Sequence, residues 1–163
     1  MKEIIIINGS GGVGKDTFVN FCSKYVLTLN YSSVDEIKHV AQELGWQGGK
    51  EEKDRKFLSD LKLLSTDYNN FPFKCICNKI EAFKQGREDL LFIHIRDIPE
   101  IKAVIKKYPN VKTLLVKNSR VPSIHSNIAD ANVFNYNYDY VIDNCGTLEE
   151  LQKDALCFVQ SLV

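Results

Sequence analysis

The sequence predicts a three-layer α/β/α domain built on a parallel sheet of about five strands. Three observations lead there. Ile4 to Ile7 are consecutive β-branched residues, which suits a strand covered on both faces. A glycine-rich turn follows at once and yields at Lys15 to apolar residues at helical spacing. Further along, strand and helix alternate: Leu90–Ile95, Pro99–Lys107, Val111–Val116, Tyr138–Ile142 and a terminal helix.

Taken in order, the first helix places Phe18, Cys22, Tyr25 and Leu29 on one stripe, and a short strand is expected over Leu27–Tyr31. Ser32 or Ser33 would cap a second helix, with Glu36 three residues after Ser33 as in a capping box. That helix would bury Val34, Ile37, Val40, Ala41 and Leu44 and stop at Gly45. Trp46 is expected to anchor the following loop against the core. A charged third helix from Lys50 aligns Phe57, Leu61, Leu64 and Tyr68, while its Glu, Lys, Asp and Arg residues form a solvated face. A fourth begins near Pro72, aligns Phe73, Ile76 or Cys77, Ile80 and Phe83, and ends at Gly86. The last helix has Thr147 as cap with Glu150 three residues on, and buries Leu148, Leu151, Ala155, Phe158 and Leu162.

Composition narrows the class. The 163 residues suit one domain, and 44% hydrophobic with 26% charged residues is globular rather than disordered composition. Lys plus Arg number 21 and Asp plus Glu number 21, so no net field draws the molecule to nucleic acid or to a membrane surface. The apolar run after Lys2 is too short for a signal peptide or a span, and a cytoplasmic location is expected. Five cysteines, at 22, 75, 77, 145 and 157, cannot all pair within the chain, and Cys75 and Cys77 lack the second pair that a structural zinc needs.

Gly9, Ser10, Gly11, Gly12, Val13, Gly14 and Lys15 match G-x-x-x-x-G-K between a predicted strand and a predicted helix. Glycines let the backbone curl round phosphate oxygens with N–H groups pointing inward, and the helix N-terminus adds a favourable field. Lys15 would reach the β- and γ-phosphates of a nucleoside triphosphate such as ATP. Asp16 stands where serine or threonine is usual, and Thr17 follows. Asp16 is either a Mg²⁺ contact through water or an acidic residue favoured in a first helical turn; the Thr17 hydroxyl can serve phosphate or metal.

The run G-S-G-G-V-G-K-D-T, residues 9 to 17, resembles the nucleoside monophosphate kinase branch of P-loop NTPase-type proteins. G-K-D-T is especially similar to deoxynucleoside monophosphate kinases and animal-type phosphomevalonate kinases, and adenylate kinases likewise place threonine one position later. The resemblance implies an adenylate kinase-like fold and transfer of the terminal phosphoryl group of ATP, with Mg²⁺, to an acceptor already bearing phosphate, foremost a nucleoside monophosphate. It also implies one domain over residues 1–163, with a helical acceptor-binding insertion at about 32–86 and a short lid at about 118–135.

Four arginines, at 55, 87, 96 and 120, are available to hold two phosphate-bearing substrates. Arg96 follows the strand ending at Ile95, where ligands sit in open parallel sheets. The resembled kinases have D-x-R there; Arg96 fits their arginine, but His94 occupies the aspartate position and either bonds the acceptor or is a satisfied buried histidine. Asp97 either supplies the missing carboxylate or caps the next helix. Arg120, after Lys117, falls in the resembled lid, where its fork would grip phosphate; Asp130 either positions an arginine there or is exposed. Arg55 is the candidate acceptor contact of the helical interval, and Arg87 is read as surface charge. Ser33 and Lys38 either face the acceptor or are explained by capping and solvation. Asn144 and Gly146 resemble a turn beside the ATP base, although turn residues would appear there without a ligand as well.

Two other classes stay open: a nucleotide-binding regulatory or partner-binding protein without efficient transfer, and an NTP-hydrolysing switch. Oligomeric state is not legible, since the helical stripes between 51 and 85 can face a core or another subunit.

Overall fold

The computed structural model describes residues 2–121 and 132–162. Five strands form one all-parallel sheet in the order β2-β3-β1-β4-β5: β1 Glu3–Asn8, β2 Thr28–Ser32, β3 Leu90–His94, β4 Lys112–Lys117 and β5 Tyr140–Asp143. Six helices, Lys15–Cys22 (α1), Asp35–Glu43 (α2), Glu52–Asn69 (α3), Phe71–Gln85 (α4), Ile98–Lys107 (α5) and Leu148–Ser161 (α6), complete the described elements. The expected three-layer fold is therefore present.

The period of two along β1 divides the core. Ile5 and Ile7 face a layer containing Phe18 and Cys22 of α1 and Leu151, Ala155 and Phe158 of α6. Ile6 faces the other way, onto Ile76, Ile80 and Phe83 of α4 and Ile101 and Val104 of α5. All three isoleucines are fully buried, each worth ~1.5–3 kcal/mol. Phe18, Phe92 and Phe158 lock the first layer, with Phe18 edge-on to Phe158 at a centroid separation of 5.5 Å.

Several local expectations change. The first helix stops at Cys22 and does not carry its stripe on to Tyr25 and Leu29, because the Leu27 carbonyl is drawn into the sheet by the N–H groups of Asp89 and Leu90. Ser33 does not cap α2, which starts at Asp35. Its N–H instead bonds the His94 carbonyl at 3.1 Å and its side chain is buried, while the Asp35 carboxylate accepts from Ser32 N–H at 2.8 Å. Gly45 ends α2 as expected: at φ +95°, its N–H bonds Gln42 and the Trp46 N–H reaches Ala41, both at 2.9 Å. Val40 and Leu44 are exposed, as is Leu148 at the start of α6, whose Thr147–Glu150 capping box is formed in both directions. Trp46 is only half-buried. Helix α3 buries no residue at all, and Phe57, Leu64 and Tyr68 lie exposed. Its apolar stripe does not face the chain's own core.

Candidate active site

The phosphate loop is held from three sides. Gly9 adopts φ +148°, and a Cβ there would run into the Val116 carbonyl at the end of β4. Gly14, the cap of α1, adopts φ +97°, and a Cβ there would strike the Asn144 amide. Both positions therefore demand glycine. Asn144 is a brace: its side chain donates to the Val13 carbonyl at 2.9 Å, and its N–H to Lys117 at 2.8 Å. Asn8, fully buried, braces the other end. Its Oδ1 accepts from Gly9 N–H at 2.8 Å, and its Nδ2 donates to the Tyr138 hydroxyl at 2.8 Å and to the Arg96 carbonyl at 3.4 Å. The Tyr138 hydroxyl donates in turn to the Val133 carbonyl at 2.7 Å, and burial pushes the Tyr138 phenol up to about 12. It stays a donor at any ordinary pH.

Lys15 Nζ donates to the Gly9 and Ser10 carbonyls at 2.6 and 2.8 Å. Its ammonium thus spans the mouth of the loop, where an arriving phosphate would take over those contacts. Asp16 is largely exposed and Thr17 half-buried on the first turn of α1. Both offer hard oxygen donors, which fits Mg²⁺ held jointly with nucleotide phosphates and water. Among the described residues no cluster of three His, Cys, Asp or Glu could cage a metal, so a cation here would rely on that shared coordination.

His94 lies at the end of β3, level with Ile7 of β1 and Ser32 of β2. Its Nε2 stands 2.8 Å from Asn30 Oδ1 and 3.8 Å from Asp16 Oδ1, a placement that suits the tautomer with the proton on Nε2. Burial lowers its pKa; Asp16 opposes the shift, and Lys15 and Arg96 assist it. The ring is a neutral hydrogen-bond donor, not the carboxylate found in the D-x-R pattern. Arg96 is exposed beside it and Asp97 occupies the cap position of α5 without a side-chain capping bond.

The turn carrying Arg120 lies over the loop: Val121 sits 3.7 Å from where a Cβ on Gly12 would stand, and Arg120 N–H bonds the Asn118 side chain at 2.9 Å. Residues 122–131 of the expected lid, Asp130 included, lie outside the described residues. Cys145 joins this turn to the one after β5: its thiol donates to Asp143 at 2.6 Å, and its sulfur accepts from Ser119 N–H at 3.4 Å. The thiol contact, followed by Lys117, holds the Asp143 carboxyl below its usual range. Asn144 and Gly146 line an open cleft of about 390 Å³ together with Thr147, Glu150 and Leu151.

Of the expected acceptor residues, Ser33 is buried at the strand ends and Lys38 is half-buried on α2. Arg55 is exposed, with its Nε on the Lys50 carbonyl, just ahead of its own helix, at 3.1 Å. The residue α3 does bring to Ser33 is Lys62, whose Nζ lies 3.4 Å from Ser33 Oγ and 2.8 Å from Glu100 Oε2. Lys62, Asn8, Tyr138 and Cys145 were not singled out by sequence. Lys62 shares a helical face with Leu58 and Ser65, all three half-buried, and only the fold shows that this face turns inward.

No family model matches the chain, and no curated protein matches it. Solved structures do. A sugar kinase from a Janibacter species matches with a TM-score of 0.57 at 12% identity, over 98% of this chain and 95% of that one. The tunicamycin resistance protein of Deinococcus radiodurans gives 0.58 at 13% identity, over 98% and 96%. A gluconokinase from Sinorhizobium meliloti gives 0.53 at 10% identity, over 99% and 93%. The likeness is one of fold, spanning nearly the whole of each chain.

Proposed function

We propose that this protein is a small-molecule kinase that transfers the terminal phosphoryl group of ATP, with Mg²⁺, to a small phosphorylated acceptor, foremost a nucleoside monophosphate. The observation that carries this proposal is the end of β3, where a cation, Arg96, and a neutral donor, His94, stand beside Lys15. An alcohol acceptor calls for a carboxylate base there. Glu100 is tied to Lys62 and Asp35 to the Ser32 N–H; Asp16, 3.8 Å from His94 Nε2, is assigned to Mg²⁺ in this scheme, and Asp97 to the cap position of α5. A phosphate acceptor is already anionic and needs no base, only cations and alignment. The kinases among the structural matches agree with phosphoryl transfer as the class of reaction.

In this scheme the loop N–H groups and Lys15 hold the β- and γ-phosphates, and Asp16 and Thr17 hold Mg²⁺, which neutralises charge on those phosphates. Arg96 orients the acceptor phosphate in line. Arg120, on the turn that lies over the loop, stabilises charge on the transferred group. Helices between residues 32 and 86 enclose the acceptor, with Ser33, Lys38 and Arg55 as its polar contacts, and Asn144 and Gly146 flank the nucleotide base. The chain works as one domain in the cytoplasm without nucleic-acid or membrane partners. The test is ADP release from ATP and Mg²⁺ in the presence of nucleoside monophosphates or other small phosphorylated metabolites. ADP release that depends on the acceptor supports the scheme. Tight ATP binding with no dependence on any acceptor favours a nucleotide-binding regulator, and acceptor-independent hydrolysis favours a switch.

A further inference from the structure

Lys62 and Glu100 reach the acceptor side from different elements, the middle of α3 and the first turn of α5, and meet at 2.8 Å. The pair is shielded, with Lys62 24% and Glu100 10% exposed. Ser33, 4% exposed, places its hydroxyl 3.4 Å from the same ammonium. Its backbone is tied to the His94 carbonyl, which fixes the cluster at the carboxyl ends of β2 and β3, on the sheet edge that also carries the Gly9–Lys15 loop. Two residues back on β2, the Tyr31 hydroxyl is buried with no hydrogen-bond partner among the described residues. Burial raises the Tyr31 pKa, and Cys75, Glu36, Asp35 and Glu100 add to the shift in that order.

This arrangement treats charge differently from the Arg96 side. A second anion at Lys62 would have to displace Glu100 and leave a shielded carboxylate unpaired, which is costly. An uncharged group with both donors and acceptors meets no such penalty, since the Lys62 ammonium, the Glu100 carboxylate and the Ser33 hydroxyl stand together there. Resting on the kinase reading above, we infer that Ser33, Lys62 and Glu100 form the neutral end of the acceptor site. They select an acceptor that carries one phosphate, at Arg96, and an uncharged hydrogen-bonding ring or hydroxyl group at its other end.

The experiment measures acceptor-dependent ADP release by the full chain with three probes: nucleoside 5′-monophosphates, ribose 5-phosphate, and adenosine 3′,5′-bisphosphate, whose second phosphate is the intruding anion. The wild type is expected to prefer a monophosphate. Glu100→Gln frees the Lys62 charge and should shift the ratio of kcat/KM between bisphosphate and monophosphate about tenfold toward the bisphosphate. Lys62→Met should shift it the other way, with both effects falling on acceptor KM more than on kcat. Ser33→Ala, the mildest change, should raise KM for the nucleoside monophosphate and for ribose 5-phosphate, each of which brings a hydrogen-bonding group to that end, and leave kcat nearly in place. A purely structural ion pair would lower thermal stability and scale all three probes alike; that result overturns the inference and leaves the kinase reading standing. Absence of acceptor-dependent ADP release from the wild type overturns both.

Discussion

The phosphate loop and the acceptor-side helices are built in opposite ways. The loop is clamped by Asn8, Asn144, the Val116 carbonyl and the Lys15 ammonium, and α1 beneath it packs Phe18 and Cys22 fully into the core. Helix α3, which is longer, buries nothing and touches the strand ends through Lys62. One region is positioned before any ligand arrives. The other lies against α2 and α4 with no side chain fully buried, as expected of an element that adjusts to its ligand.

The largest effect should come from Lys15→Ala. It removes the cation at the loop mouth and should reduce transfer about 10²–10³-fold with the fold intact, as followed by ADP release and circular dichroism. Asn144→Ala tests the clamp itself. Leaving the Val13 carbonyl without its partner should cost ~1–3 kcal/mol in denaturant unfolding and raise KM for ATP more than KM for the acceptor.

A smaller, pH-dependent effect belongs to His94. Its folded pKa lies below the ordinary 6.5 because burial disfavours the charged ring, so the unfolded chain takes up the proton first. Stability should therefore be full above about pH 7 and decline as pH falls through the unfolded pKa toward the folded one. His94→Asn should flatten that slope in urea titrations between pH 7 and 5. The smallest effect is expected on α3: Leu64→Ser and Tyr68→Ser should each change stability by less than about 0.5 kcal/mol. A loss of several kcal/mol from either would mean that α3 is packed as firmly as the loop and would remove the contrast.

The same contrast explains what the sequence could convey. Ile4–Ile7, the glycine loop and the Thr147–Glu150 box are local patterns whose chemistry is complete within a few residues, and the structure has them where they were expected. The Ser33–Glu36 spacing was equally local, yet the His94 carbonyl 61 positions away took the Ser33 N–H and drew that residue into the sheet edge. Likewise the stripe of Phe57, Leu61, Leu64 and Tyr68 has the period of a core face, yet only Leu61 is half-buried, and nothing local tells that the core lies on the side of Leu58 and Lys62. Asn8 read as the end of a strand. Its part in tying the loop to Arg96 and Tyr138 depends on contacts across 88 and 130 residues.

The most direct test of the central claim is ADP release with ATP, Mg²⁺ and a panel of nucleoside monophosphates, run beside Lys15→Ala. The expected result is ADP production that requires one of these acceptors and collapses in the variant. Full acceptor-dependent activity in Lys15→Ala would contradict the assignment of the loop, and no dependence on any phosphorylated acceptor would contradict the proposed reaction.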